Sequence, residues 1–269
     1  MSNGTTSHGA ARALLSTGED LLSDLRLKPD AWALFLDIDG TLIDIAETPE
    51  GIVVPPDLPE ALERLSRRLG GALALVTGRA LPFADELFAP YRFPIAGLHG
   101  AQRRSANGYV EDVTPGENFL RLKEALRGQA RQWPGVLIED KGMAVAAHYR
   151  QAPEYQAEVE EIMNRAAQEA GPDFTLQRGK MVVELRPAKA SKGEALLAFL
   201  AEPPFAGRTA IAIGDDVTDE AMFKIANDLG GRSIRVAETD APTVAQATLP
   251  SAAALRDIIA ALGADHSNA

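Results

Sequence analysis

Two pairs of carboxylates stand where apolar runs end. Asp37-Ile38-Asp39-Gly40-Thr41 follows Ala33-Leu34-Phe35-Leu36, and Gly214-Asp215-Asp216 follows Ile211-Ala212-Ile213. Carboxylates so placed suit a hard divalent cation beside a phosphate, with one aspartate left to attack phosphorus. Phosphoryl transfer needs a nucleophile, a cation, donors for the phosphate oxygens and an acid for the leaving group. Asp37 supplies the nucleophile. Asp39, turned back at Gly40, supplies the acid that protonates a leaving oxygen and the base that later deprotonates water. Asp37, Asp215 and a backbone carbonyl near Asp39 suffice for Mg²⁺, which takes few protein carboxylates. The Thr77 hydroxyl and Gly78 amide, with Arg79 next in sequence, can address phosphoryl oxygens, and Lys192 adds a positive charge at a helix start. Lys189 lies close enough to Lys192 that the sequence leaves open which of the two reaches the phosphate. Asp215-Asp216 taken alone reads equally as a helix cap, and His99 equally as a phosphate contact or a turn residue.

Positioning these side chains requires a sheet whose strands end on one edge. The runs 33–36, 72–76, 94–97, 209–213 and 233–236 are apolar without alternation, the pattern of parallel strands covered by helices on both faces. Asp57-x-x-Glu60 and Ser191-x-x-Glu194 read as capping boxes. Leu58, Leu62, Leu65 and Leu69 form one stripe that Gly70 ends, and Ser251 to Gly263 reads as a C-terminal helix. The expected core is therefore a doubly wound, Rossmann-like α/β sheet.

The middle of the chain has another pattern. Amphipathic stretches at 117–133 and 154–170 are each followed by a hairpin signal: 136–139 and 143–149 around Lys141-Gly142, then 174–177 and 181–185 around Arg178-Gly179. This weak internal repeat predicts an α+β lid inserted at 114–187, hinged at Pro115-Gly116 and Pro187, within a core made of 18–113 and 188–269. Residues 1–17, rich in Ser, Gly, Thr and Ala, read as a disordered tail without a signal-peptide core.

The 269 residues carry a net charge of −11, which argues against nucleic acid or an anionic membrane as partner. An anionic substrate then needs a local cation cluster or a metal. No apolar stretch is long enough for a membrane span. The absence of cysteine removes disulfides and thiolate metal sites and fits a cytoplasmic protein.

The same residues, in the same order, resemble the haloacid-dehalogenase-like phosphatases. Asp37 to Thr41, Thr77, Lys192 and Asp215-Asp216 look like that superfamily's four motifs, and an insertion between the second and third is where it places its larger cap. A narrower resemblance lies in Gly214-Asp215-Asp216-x-Thr218-Asp219-Glu220-x-x-Phe223, Gly97-Leu98-His99-Gly100, Glu184-x-Arg186-Pro187 and Ser191-Lys192-Gly193. These are similar to the signature of the trehalose-6-phosphate phosphatases. The resemblance implies Mg²⁺-dependent hydrolysis of trehalose 6-phosphate through an aspartyl-phosphate. It implies that Glu139, Lys141 and Glu184 grip the sugar, with His99 and Gly100 beside it, and that Asp216 and Asp219 support the metal site. Phosphatases of sucrose phosphate or mannosyl-phosphoglycerate, a sugar phosphomutase and a catalytically silent sugar-phosphate sensor are the alternatives.

Overall fold

The computed structural model describes residues 16–45, 52–112, 116–188, 190–237 and 242–264. In chain order the elements are β1 (Ser16–Thr17), α1 (Gly18–Leu27), β2 (Trp32–Leu36), α2 (Leu58–Arg68), β3 (Leu73–Val76), α3 (Leu81–Leu87), β4 (Ile95–Gly97), β5 (Gln102–Arg104) and β6 (Val110–Asp112). They continue with α4 (Glu117–Ala130), β7 (Leu137–Asp140), β8 (Val145–His148), α5 (Gln156–Ala170), β9 (Phe174–Gly179), β10 (Val182–Pro187), α6 (Lys192–Leu200), β11 (Thr209–Gly214), α7 (Glu220–Asp228), β12 (Arg232–Val236), β13 (Ala247–Leu249) and α8 (Ala252–Gly263).

The larger sheet has the order β1-β13-β12-β11-β2-β3-β4-β5-β6, parallel from β1 through β4 and antiparallel at β5 and β6. Alternate residues of β2 serve opposite faces. Leu34 and Leu36 join a core with Leu62 and Leu65 of α2 and Leu255 and Ile259 of α8, whereas Ala33 and Phe35 join one with Phe199 of α6 and Phe223 of α7. Phe35 lies 5.7 Å from Phe205 and 6.2 Å from Phe199, ring centre to ring centre. Both faces are covered, which is why the strand sequences show no polar alternation.

β11, β2 and β3 are neighbours in the middle of this sheet, with Ile213 opposite Leu36 and Leu36 opposite Leu75. Their C-terminal ends therefore lie side by side, and Asp215, Asp37 and Thr77 are the residues that follow. An open parallel sheet offers its ligand crevice along this edge.

The smaller sheet, β7-β8-β10-β9, is antiparallel, and its two hairpins meet at their second strands. One face packs on α4 and α5 through Phe119, Leu122, Val145, Val159, Ile162, Val183 and Leu185. The stretch from α4 to β10 is thus a helix-plus-hairpin unit used twice. It meets the larger layer in a small apolar contact of Met143 with Leu98, Ala101 and Ala190.

Several local expectations are corrected. Asp57 takes helical φ/ψ and its side chain accepts no capping bond. Its carbonyl accepts from Ala61 N at 3.0 Å, so it holds the N-cap position through its backbone alone. Ser191 and Ser251 do cap, accepting from Glu194 N at 3.0 Å and Ala254 N at 3.3 Å. The second hairpin turns at Lys180-Met181, with Met181 at φ 65°, rather than at Arg178-Gly179. Arg178 instead lies in β9 and pairs with Glu160 of α5, which fixes the longer strand. Ser16 and Thr17 pair with Ala247 and Thr248, so the tail read as disordered ends in a strand. The rest of that tail, with Thr114, Pro115, Lys189, His8 and His266, lies outside the described residues.

Candidate active site

The loop after β2 winds tightly on itself. Leu42 N and Ile43 N both donate to Ile38 O, at 2.9 and 3.0 Å, and Gly40 N donates to Ile43 O at 2.8 Å. Buried Ile38, Leu42 and Ile43 anchor the turn, leaving Asp37, Asp39 and Thr41 for the edge. Gly40 sits at φ +77°, and a Cβ there would fall 2.2 Å from Asp215 Oδ2. Gly40→Ala is expected to cost at least about 1–2 kcal/mol from backbone strain alone and to displace Asp215. A fall in both the denaturation midpoint and turnover checks this; a wild-type Tm with wild-type turnover contradicts it.

Lys192, 3% exposed, lies between two carboxylates: Nζ donates to Asp37 Oδ1 at 2.6 Å and to Asp219 Oδ1 at 2.7 Å. Thr41 Oγ1 bridges the two strand ends, donating to Asp215 Oδ1 at 3.2 Å, with Asp37 Oδ2 3.4 Å away. Asp219 Oδ2 accepts from Asp215 N and Asp216 N, both at 3.0 Å. Carboxylate oxygens of Asp37, Asp215 and Asp219 all lie within 4.8 Å of one another.

Three carboxylates against one ammonium leave an excess of negative charge. Burial pushes the Asp37 carboxyl well above its ordinary range; Lys192 opposes this, while Asp219 and Asp215 add to it. Burial likewise raises Asp215, to about 6, with Asp219 reinforcing the shift. Burial pulls the Lys192 ammonium down, but Asp37 and Asp219 more than offset that and hold it above the ordinary lysine value. A divalent cation bound here would neutralise this surplus. The donors are all oxygen, and the cradle over Gly40 has no room for another side chain. The residues thus fit a hard cation such as Mg²⁺.

The Asp39 carboxylate lies outside this cluster. Arg79 grips it, with Nε donating to Oδ2 at 2.6 Å and Nη2 to Oδ1. Asp39 could therefore enter a metal site only through its backbone, and Arg79 contacts Asp39 rather than an open pocket. The Arg79 guanidinium also covers the Phe83 ring at 4.5 Å. Asp216 caps the short turn before α7 and is not in the cluster, whereas Asp219 is at its centre. Of the two residues expected to support a metal site, the structure thus brings Asp219 into the cluster and leaves Asp216 beside it. The sequence signal was present in Asp216-x-x-Asp219, a capping pattern in which the Asp219 side chain folds back onto the Asp215 and Asp216 backbone N–H groups.

Thr77 is fully buried; its hydroxyl accepts from Arg79 N at 3.1 Å and retains a proton to donate. Gly78 lies under the His99 ring, 2.8 Å from where a Cβ would stand, and Gly100 packs on Ser191 O. His99 itself adopts φ 55°, and its Nδ1 is buried without a partner. Burial, then the nearby Lys192, Arg186 and Lys141 charges, depress its pKa to about 3. His99 is therefore neutral in the folded chain at ordinary pH. As pH falls below 6.5 the unfolded chain gains a proton that the folded chain refuses, so stability is lost from pH 6.5 downward. Between pH 7 and 5 this amounts to about 2 kcal/mol. Urea titrations at both values should show that loss shrinking in His99→Asn, which tolerates the same backbone; equal slopes would refute it.

On the smaller sheet, Lys141 Nζ lies 2.9 Å from Glu184 Oε2 and 3.9 Å from Glu139 Oε2. His148 Nε2 is 2.9 Å from Glu139 Oε2, and this bond is the main reason the Glu139 carboxyl is depressed. The turn that carries Lys141 is braced from behind. Buried Lys123 of α4 donates to Asp140 Oδ1 at 2.7 Å and to Gly142 O at 3.0 Å, and Gly142 N donates to Asp140 Oδ1 at 2.9 Å. The structure thus gathers Asp37, Thr77, Lys192, Asp215 and Asp219 at the sheet edge, and Glu139, Lys141 and Glu184 on the layer facing it. Nothing in the local sequence marked the Arg79–Asp39 pair or Lys123.

The family model described as trehalose-phosphatase matches residues 35–253. A probable trehalose-phosphate phosphatase of Sinorhizobium fredii is 61% identical over 245 residues, covering 91% of this chain and 92% of that protein. The trehalose-6-phosphate phosphatase of Escherichia coli is 44% identical over 206 residues, covering 76% and 77%. Among solved structures, the C-terminal domain of a C. albicans trehalose-6-phosphate phosphatase shares the fold at TM-score 0.75 and 20% identity, covering 92% of this chain and 97% of that one. With residues 35–253, about four fifths of its length, inside the family model and a relative 61% identical over 91% of the chain, the chain belongs to the trehalose-phosphatase family of phosphoric monoester hydrolases.

Proposed function

We propose that the chain hydrolyses trehalose 6-phosphate to trehalose and phosphate, with Mg²⁺ as cofactor and Asp37 as nucleophile. The observation that carries this reading is the buried Asp37–Lys192–Asp219 chain with Asp215 beside it, at the adjoining ends of β2 and β11. The substrate is argued from the similar relatives and from the carboxylates and lysine of the facing sheet, which suit the hydroxyls of a neutral sugar.

In this mechanism an Asp37 oxygen bonds to phosphorus as the bond to the sugar oxygen breaks, and Asp39 gives that oxygen its proton. Asp39 has both oxygens on Arg79, so donation requires at least one of those bonds to be released. Thr77 O–H, Gly78 N–H and the third N–H of Lys192 donate to the phosphoryl oxygens. Water then attacks the aspartyl-phosphate, returning its proton to Asp39 and freeing Asp37. Asp37 and Asp215, with the backbone near Asp39, would hold the cation; when bound it supplies charge neutralisation for the phosphoryl group. The smaller layer, resting through Leu98 and Met143, acts as a lid that excludes bulk water from the phosphorylated aspartate.

The test is phosphate release from trehalose 6-phosphate, sucrose 6-phosphate, mannosyl-phosphoglycerate and glucose 6-phosphate, with Mg²⁺ or EDTA, for wild type and Asp37→Asn. Trehalose 6-phosphate should be preferred, with release abolished by EDTA and by the substitution. Preference for another sugar phosphate refutes the substrate, an isomerised sugar phosphate in place of free phosphate refutes hydrolysis, and activity surviving EDTA refutes the cofactor.

A further inference from the structure

The register of the smaller sheet aligns four residues in one row: Glu139 on β7, Ala146 on β8, Glu184 on β10 and Gln177 on β9. Side chains alternate along strands, so this row shares a face. The next row, Ile138, Ala147, Val183 and Arg178, serves the opposite face: Ala147 and Val183 are in the core against α4 and α5, and Arg178 reaches Glu160. Gln177 therefore stands on the same open face as Glu139 and Glu184, at the far end of their row. Thr175 and Arg186, paired two positions along, stand there too.

The side-chain oxygen of Gln177 is buried with no hydrogen-bond partner. Among the described residues three other buried side-chain atoms share that condition, and two of them are His99 Nδ1 and Arg186 Nε. Gln177, His99 and Arg186 line one cleft of about 470 Å³, which Thr218 and Lys192 also line. An unpaired buried polar atom costs about 1–3 kcal/mol, and such atoms in a native fold call for a missing partner. Three that converge on the cleft beside the phosphate-facing lysine point to a ligand rich in hydroxyl groups.

We propose that Gln177, with Arg186 beside it, is a specificity-determining contact for the sugar part of the substrate. It extends the Glu139–Glu184 row onto the outer strand β9. The Gln177 carbonyl accepts a hydroxyl proton and the Arg186 guanidinium donates to a hydroxyl oxygen, so together they address both properties of an O–H group. The row crosses three inter-strand spacings, about 14 Å. Two hexose rings fill that width and one does not, so Gln177 reads the ring farther from Glu139. The proposal rests on the sugar phosphate reading above.

The test compares Gln177→Leu, nearly isosteric but unable to hydrogen-bond, with wild type on trehalose 6-phosphate and on p-nitrophenyl phosphate, which has no sugar. The expected result is a KM for trehalose 6-phosphate raised about tenfold, the worth of one hydrogen bond. Its kcat should stay within about twofold, p-nitrophenyl phosphate hydrolysis should be unchanged, and calorimetric binding of the product trehalose should weaken by the same factor. An unchanged KM overturns the proposal, as does an equal loss on both substrates, which would mean damage to the fold. Should wild type prefer a different sugar phosphate, the substrate reading fails by itself, and the same KM split measured on that substrate decides the role of Gln177.

Discussion

Lys192→Met is expected to lower stability by about 3–5 kcal/mol and to remove measurable turnover. The lysine is almost wholly buried and is the only cation within hydrogen-bonding distance of Asp37 and Asp219 among the described residues. Removing it leaves two buried carboxylates facing each other with Asp215 close by. They can respond only by taking up protons or admitting water, and a protonated Asp37 is no nucleophile. Introducing Asp219→Asn into Lys192→Met should recover part of the stability, because it removes one of the repelling charges. That non-additivity in urea denaturation separates an electrostatic loss from a packing loss. Purely additive costs would mean that the lysine acts as filler.

Asp39→Asn has the second large expected effect. Loss of the acid and base should slow trehalose 6-phosphate turnover by about 10²–10⁴-fold. An activated ester such as p-nitrophenyl phosphate leaves without needing a proton, so its first step should survive. Stopped-flow measurement should then show a burst of nitrophenolate equal to the enzyme concentration, followed by slow release. A slow phase with no burst would mean that Asp39 is required for attack itself, or that the freed Arg79 disturbs the site.

Much of the candidate site at the sheet edge was legible because its placement depends on local chemistry. Apolar runs ending in Asp37, Thr77 and Asp215 identify strands and their ends together, and a parallel sheet aligns those ends whatever the connections do. Ser191 and Ser251 cap as their sequences indicate. Asp57 holds the N-cap position as expected from its place, but its backbone is helical there and its side chain accepts no capping bond. The Arg178-Gly179 turn fails for a tertiary reason: Arg178 is held by Glu160, and pairing continues to Gly179 opposite Val182. The Arg79–Asp39 pair, the Lys123 brace and the place of Gln177 beside Glu184 all depend on strand order and register between distant segments. No periodicity within one segment carries that information.

The central claim, that Asp37 becomes phosphorylated by substrate, is tested most directly by rapid-quench reaction of ³²P-labelled p-nitrophenyl phosphate, whose first step needs no acid, with Asp39→Asn enzyme and Mg²⁺, followed by acid-stable peptide mapping. The account predicts label on the peptide that contains Asp37, lost in Asp37→Asn/Asp39→Asn and discharged as phosphate on the timescale of turnover. Steady release of phosphate with no labelled peptide at any quench time would mean direct attack by water, and would contradict it.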